Sequence, residues 1–162
     1  AEASIIEDQK FNNLNPVALL KMRNFISLTD QYSILLNLYG RAVFSTESPL
    51  FKSNYIGGTD YSIYMSNHLP FYGIPDIMPS ERFSFIGLTG LRLKIAKSHY
   101  FSLVGNYLIQ NDDFLKVENY NFIWGVGISY SFNSRVGPWN LDIGYSDWNK
   151  KPTLAANIGF WF

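Results

Sequence analysis

The stretch that decides the fold is Asn121-Phe122-Ile123-Trp124-Gly125-Val126-Gly127-Ile128-Ser129-Tyr130-Ser131-Phe132. Its even-numbered positions are all bulky and mostly aromatic, whereas its odd-numbered positions after Ile123 are glycine or serine. Successive side chains of a β-strand point to opposite faces of a sheet, so this period of two predicts a strand. One face of that strand is large and apolar, and the other is small and polar.

The same alternation recurs along the chain and predicts eight strands in all. Downstream it continues cleanly through Trp139–Ser146 and Thr153–Phe162. Three consecutive strands at this period leave little room for a helical interpretation. The upstream strands are predicted at Tyr100–Gln110, Arg82–Ile95, Tyr32–Ser45, less regularly at Pro16–Leu28, and most weakly at Ala3–Asp8.

The composition narrows the class of protein. The chain has 162 residues, enough for one domain over residues 1–162, and no cysteine for a disulfide or a thiolate metal site. Lys plus Arg equals Asp plus Glu, at 13 each, which does not favour nucleic acid as a partner. Aromatic residues reach 17%, yet the mean hydropathy is −0.04 and no apolar run approaches the roughly 18 residues of a transmembrane helix. Apolar residues that are abundant but dispersed are typical of a transmembrane β-barrel.

The connections between the predicted strands alternate between short and long. Outer-membrane barrels have short periplasmic turns and longer outer loops. If the C-terminus lies in the periplasm, the short connections are all on the periplasmic side and the long ones are all outside. The predicted periplasmic turns are Thr29–Gln31, Ala96–His99 and Asn133–Arg135, and the predicted outer loops are Gln9–Asn15, Thr46–Ser80, Asn111–Asn119 and Asp147–Pro152.

The bulky face is predicted to meet lipid. A soluble eight-stranded barrel of the lipocalin type also alternates, but it turns its apolar face inward. Here the face opposite the bulky residues is made of glycine and serine, which suits a crowded or wet lumen. The sequence offers no helix that would cover the apolar face as a second layer. We therefore predict an all-β fold, a transmembrane antiparallel β-barrel with eight strands in this chain.

Several ionisable residues remain as candidates for a binding role. The inward positions hold more basic than acidic side chains. The interpretation that we favour is that the loops or another part of the barrel balance this positive charge. The alternative is that these basic side chains form a path for anionic lipid. His68 and His99 are isolated, so a role as ligand or base is not expected. An outer loop contains Asp112, Asp113 and Glu118, which could bind calcium. The interpretation that we favour is that these carboxylates are simply solvated. The inward basic residues are Lys21, Arg23, Arg41, Arg82, Arg92 and Lys94, and the clearest inward acid is Asp142.

The last three strands resemble a known family. The segments Gly125–Phe132, Arg135–Ser146 and Asn157–Phe162 are similar to the final strands of the bacterial surface-antigen (BamA-like) superfamily. With Asp147–Pro152 and the aromatic end, the resemblance is closest to the barrels of patatin-like phospholipase fusion proteins. It covers about Tyr32–Phe162 and is strongest from Ile123 onward.

The resemblance implies further features of the chain. Members of this family have sixteen strands, of which this chain supplies the last eight, so it is expected to be half of a sixteen-stranded barrel. Thr46–Ser80 falls where the family has a loop folded into the lumen, and Gly57 and Gly58 resemble the start of its motif. The arginine of that motif is absent, because Asp60-Tyr61-Ser62 follows. The terminal Phe160, Trp161 and Phe162 resemble the family's assembly signal, read by the barrel assembly machinery.

The expected function follows from these implications. The chain is expected to be a non-catalytic barrel module that anchors or translocates an associated patatin-like lipase domain in the outer membrane of a gram-negative bacterium. It contains no Gly-x-Ser-x-Gly pentapeptide of its own, and no cofactor is expected. Its partners would be outer-membrane lipid and a second barrel half, either another copy in a dimer or an N-terminal half. The alternative is a self-contained eight-stranded barrel with a structural or adhesin role.

Overall fold

The computed structural model describes residues 2–6, 16–44, 53–59, 65–75, 77–113, 120–135 and 137–159. For residues 2–6 the description is of the backbone. Every regular element in these ranges is a β-strand. None of the described residues belongs to a helix with the length and hydropathy needed to cross a membrane.

The described residues form eleven strands in two sheets, and the larger sheet contains the eight strands that the sequence predicts. In chain order the strands are β1 (Glu2–Ile6), β2 (Val17–Ser27), β3 (Tyr32–Val43), β4 (Asn54–Ile56), β5 (His68–Leu69), β6 (Met78–Ser80), β7 (Phe83–Ala96), β8 (His99–Asn111), β9 (Asn121–Ser134), β10 (Gly137–Ser146) and β11 (Thr153–Ile158). The large sheet has the order β1-β2-β3-β7-β8-β9-β10-β11, and the small one has the order β5-β4-β6. The all-β class and the strand count are therefore confirmed.

Each strand of the large sheet pairs antiparallel with its neighbours in the order of the chain, apart from the insertion between β3 and β7. Residues 28–31, 97–98 and 135–136 join the strands at one end, and longer segments join them at the other. This asymmetry agrees with the predicted short periplasmic turns. The observed strand limits differ from the predicted ones by only a few residues in β2, β3 and β7–β10.

The two faces of the large sheet have the predicted characters. On β9, the exposed fractions of Trp124 and Val126 are 46% and 45%, whereas those of Ser129 and Ser131 are 3% and 4%. The outer face continues across the sheet, where the Trp124 ring lies 6.0 Å from the Tyr145 ring on β10. So large an exposed apolar surface marks an interaction surface rather than an ordinary water-facing one. The face opposite it carries the buried polar residues of β8–β10.

The large sheet ends at β1 on one side and at β11 on the other. Within the described ranges β1 pairs with β2 and β11 pairs with β10, and no pairing joins β1 to β11. The sheet is therefore open in this structure. The end of the predicted last strand, Phe160–Phe162, lies outside the described residues.

Candidate functional site: the inner loop and its seat

A long insertion between β3 and β7 folds onto the inner face of the large sheet. We call its described residues, 53–59, 65–75 and 77–80, the inner loop. Its strand β4 pairs parallel with β5 and antiparallel with β6. Its buried apolar side chains pack against inward-facing residues of β3, β7, β8 and β9, and together they form the larger of two hydrophobic clusters among the described residues. This core cluster consists of Ile56, Leu69, Phe71 and Ile74 from the inner loop and Tyr39, Ile86, Leu108 and Ile123 from the sheet.

Asn54 fastens the start of the inner loop to the sheet. Its side chain is fully buried, and its amide Nδ2 donates hydrogen bonds to the carbonyl oxygens of Glu81 at 2.8 Å and Arg82 at 2.9 Å. Its Oδ1 accepts a hydrogen bond from the guanidinium of Arg41 on β3. The Asn54 side chain thus supplies hydrogen-bond partners for two backbone carbonyl groups just before β7 and for the inward-facing guanidinium group on β3.

Gly57 and Gly58 form the turn around which the inner loop closes. The N–H of Gly57 donates to the oxygen of Leu69 at 3.2 Å, and the N–H of Gly58 donates to the oxygen of Ile74 at 2.8 Å. The buried His68 ring places Nε2 at 2.7 Å from the oxygen of Gly57. The φ angle of Gly58 is 63°, which a residue without Cβ adopts at no steric cost. His68 therefore has a structural partner inside the loop.

Tyr72 and Gly73 carry the inner loop across the sheet to β10. The Asn106 amide on β8 donates to the oxygen of Tyr72 at 3.4 Å, and the Ser146 hydroxyl on β10 donates to the oxygen of Gly73 at 2.9 Å. Gly73 has a φ of 93°, and a Cβ there would lie 2.4 Å from the carbonyl carbon of Tyr145. Only glycine fits this position, because both the dihedral angle and the close backbone approach exclude a side chain.

Three inward-facing glycines on β9 and β10 receive this part of the loop, and we call Gly125, Gly127 and Gly144 the loop seat. A Cβ on Gly125 would lie 2.4 Å from the oxygen of Tyr72, and one on Gly127 would lie 2.5 Å from Cδ1 of the same tyrosine. A Cβ on Gly144 would lie 2.6 Å from the nitrogen of Gly73. The small face of the sheet is therefore crowded by the chain's own loop. Alternation alone predicted a small and polar inner face, and the family resemblance implied that part of Thr46–Ser80 folds into the lumen. The described residues of that segment do lie on the inner face.

The other charged candidates are distributed along the inner face. The Nε of Arg23 donates to the Tyr39 hydroxyl at 3.3 Å. Asp142 on β10 is 2% exposed and lies opposite Ser129 of β9. The backbone N–H of Arg82 donates to Oδ1 of Asp112 at 3.1 Å at the edge of the inner face.

The structure gives the remaining candidates structural contacts. His99 has Nδ1 at 2.6 Å from the Tyr130 hydroxyl, and its ring stacks on Phe132 with centroids 4.5 Å apart. In the part of the chain that the structure describes, no three His, Cys, Asp or Glu side chains are grouped so as to hold a metal ion. Glu118 of the possible calcium site lies outside the described residues, as do the assembly-signal residues Phe160, Trp161 and Phe162.

Comparison with known protein families decides the assignment of this architecture. A family model described as the OMP85 superfamily matches residues 4–162. The chain belongs to the OMP85 superfamily. This confirms the resemblance to the surface-antigen, BamA-like superfamily, and it makes the chain an outer-membrane barrel module. No curated protein sequence and no solved structure gives a significant match to the chain.

Asn54, Tyr72 and Gly73 are important residues that the sequence analysis did not identify. A signal was present, since Leu69-Pro70-Phe71-Tyr72-Gly73-Ile74 is an apolar run in a segment predicted to be an outer loop. A solvent-exposed loop of this composition would be unfavourable, so the run indicates burial against the barrel. The glycines it packs against lie more than 50 residues away along the chain, and alternation alone does not relate the two segments.

Proposed function

We propose that residues 1–162 form one module, the C-terminal half of a sixteen-stranded outer-membrane barrel that anchors or translocates an associated patatin-like lipase domain. The module itself is non-catalytic, and its location is the outer membrane of a gram-negative bacterium. The eight missing strands come from a second copy of the chain or from an N-terminal half. The barrel assembly machinery inserts it by recognising Phe160, Trp161 and Phe162, and Gly57 and Gly58 serve as the turn of the family's loop motif.

The observation that carries the proposal is the inner loop on an open sheet. An eight-stranded barrel has a lumen that ordinary side chains already fill. Here the inner face also carries a loop with its own three-stranded sheet and a buried core that includes Phe71 and Leu69. A wider barrel has room for this loop, and the open edges at β1 and β11 provide the places where additional strands pair. Both features support a larger barrel over the self-contained one.

The test of the anchoring role uses the complete coding region, expressed with and without residues 1–162 in a gram-negative host. We expect phospholipase activity in the outer-membrane fraction for the complete protein and in the soluble periplasmic fraction after the deletion. The Gly105→Ala variant, a change on the outer face where a Cβ would meet no described atom within 4 Å, serves as a control that should leave the activity in the membrane fraction. An equal distribution of activity with and without the barrel, or no phospholipase activity in the complete protein, would exclude the role.

A further inference from the structure

A cavity lies on the inner face at the end of the sheet with the short turns. Its volume is about 270 Å³, and its walls come from five neighbouring strands of the large sheet, β2, β3, β7, β8 and β9. These strands are internal to the sheet, so the cavity does not depend on how the barrel closes. Arg92 in its wall and Ile86 in the core under the inner loop are separated by about 20 Å along β7. The cavity is thus distinct from the inner loop and its seat.

Arg92 of β7 lies between two aromatic side chains in this cavity. Its guanidinium carbon is 4.8 Å from the centre of the Tyr100 ring and 5.7 Å from the centre of the Phe25 ring. Such cation–π contacts help to orient a guanidinium group, and a guanidinium also forms bidentate hydrogen bonds to oxyanions. The two rings therefore hold the Arg92 guanidinium in the wall of the cavity.

Other polar groups in the cavity wall favour an anion with several oxygens. Lys94 follows Arg92 on the same face of β7, and the hydroxyl of Ser33 and the amide of Asn133 lie in the same wall. Among the described residues that line the cavity, the two cations face one carboxylate, that of Asp30 in the turn after β2. A guanidinium, an ammonium, a hydroxyl and an amide are all hydrogen-bond donors, and together they suit the three terminal oxygens of a phosphate monoester.

We propose that this cavity binds the phosphate group of a monoester that carries an apolar substituent. Arg92 and Lys94 bind the phosphate oxygens, and Phe25 and Tyr100 contact the substituent. Pockets for drug-sized ligands start at about 300 Å³, so the cavity accommodates a headgroup or a small ester rather than a whole lipid. Such a phosphate has two sources, a free organic phosphate and the headgroup of an anionic lipid. The proposal uses only the inner face of this chain and does not depend on the lipase role.

The experiment measures binding to the full-length protein in an uncharged detergent by titration calorimetry. The probes are inorganic phosphate, phenyl phosphate, dihexanoyl phosphatidic acid, and dihexanoyl phosphatidylcholine as a lipid without a monoester. We expect the two monoesters to bind more tightly than the other two probes. Tighter binding of phosphatidic acid than of phenyl phosphate identifies the lipid source, and the reverse identifies a free ester.

Matched variants distinguish binding in this cavity from nonspecific electrostatic attraction between the protein and the phosphate. Arg92→Gln and Lys94→Gln should each weaken monoester binding about tenfold or more, whereas Lys151→Gln in the loop at the opposite end should leave it unchanged. Asp30→Asn should strengthen binding, and Phe25→Leu should reduce the preference for phenyl phosphate over inorganic phosphate. Heat-modifiable migration confirms that each variant is folded. Equal monoester affinity in the wild type and Arg92→Gln, with both folded, would overturn the proposal, as would failure of every probe to bind the wild type.

Discussion

At the scale of single residues, the contact of Gly127 with Tyr72 determines whether the inner loop can lie on the sheet. A methyl group at position 127 would come 2.5 Å from Cδ1 of Tyr72, too close for the ring to keep its place. Overpacking in a well-packed interior costs about 1–3 kcal/mol. We predict that Gly127→Ala lowers the midpoint of thermal unfolding, measured as the temperature at which the folded band converts to the unfolded one in electrophoresis.

Gly105→Ala is the matched control for Gly127→Ala. Gly105 lies on the outer face, and a Cβ there would meet no atom within 4 Å among the described residues. Its midpoint should stay close to that of the wild type. The double variant Gly127→Ala with Tyr72→Ala should lower the midpoint of thermal unfolding by less than the sum of the two single changes, because the smaller side chain at position 72 removes the clash. Additive losses would show that Gly127 does not act through Tyr72.

The assignment of the outer face to lipid makes a second prediction at this scale. Val126→Arg and Ile143→Arg place a cation in hydrocarbon, which costs roughly 2–4 kcal/mol near the middle of the bilayer. Ser129→Arg instead puts the cation on the inner face, opposite Asp142. We expect Ser129→Arg to be milder than either outer change, as measured by urea unfolding of protein folded into lipid vesicles. Equal destabilisation by Ser129→Arg and Ile128→Arg would contradict the assignment of the faces.

At the scale of elements, the inner loop depends on Asn54 for its attachment. Asn54→Ala leaves partly buried carbonyl groups of Glu81 and Arg82 and the Arg41 guanidinium without this partner. A lost partner of a buried polar group costs about 1–3 kcal/mol, so the detached state should become about ten to a hundred times more populated. We predict faster chymotrypsin cleavage at the aromatic residues of the loop, followed by mass spectrometry.

The control for Asn54→Ala is Asn24→Ala, the same chemical change on an outward position of β2. Its cleavage rate should match that of the wild type. If Asn54→Ala is cleaved no faster than Asn24→Ala under conditions where both remain folded, the attachment of the loop depends on its apolar side chains instead.

The last strand gives another prediction at the element scale. In the structure β11 pairs with β10 on one side, and its outward residues Leu154 and Ile158 are well exposed. A free strand edge with terminal aromatic residues suits recognition by β-augmentation. We expect deletion of Phe162 to reduce the amount of heat-modifiable barrel in the outer membrane strongly, while deletion of the exposed outer-loop residue Lys151 leaves it near normal. Normal yield after the Phe162 deletion would contradict the assembly role of the aromatic end.

The elements also show how much the sequence could predict. Eight strands, their faces and their short turns follow from a period of two and from local turn lengths, which are properties of neighbouring residues. The fold of the inner loop does not follow from local sequence patterns, because it depends on contacts between distant residues. Ser146 contacts Gly73, and Asn54 contacts Arg82. The glycines of β9 and β10 were correctly placed on the inner face, but their role as a seat required knowledge of what lies against them.

At the scale of the whole molecule, the open edges of the large sheet require partners. In hydrocarbon an unpaired backbone N–H or C=O costs several kcal/mol, so an open sheet does not persist in a membrane. The described residues show β1 and β11 at opposite ends of the sheet. Closure of one copy on itself would leave the inner loop in the narrow lumen of an eight-stranded barrel. Pairing with eight more strands, of which a two-fold copy is the simplest source, relieves that crowding.

The absence of native cysteine makes this closure directly measurable. We place one cysteine in β1, at Ser4, and scan a second along β11 from Leu154 to Ile158, because the register between the edges is not known in advance. For a barrel of two copies we predict a disulfide-linked species at about twice the 18.6 kDa mass of the chain on non-reducing gels, formed by at least one pair in the scan. The control pairs Ser4 with Leu141, which lies inside the sheet on β10 and should not link. A linked species that stays at the mass of one chain would show closure within a single copy and exclude the sixteen-stranded barrel. For a barrel completed by an N-terminal half, the chain alone gives no linked species. The complete coding region gives one when a cysteine in β11 is combined with a cysteine in the first strand of that half, because that strand would pair with β11.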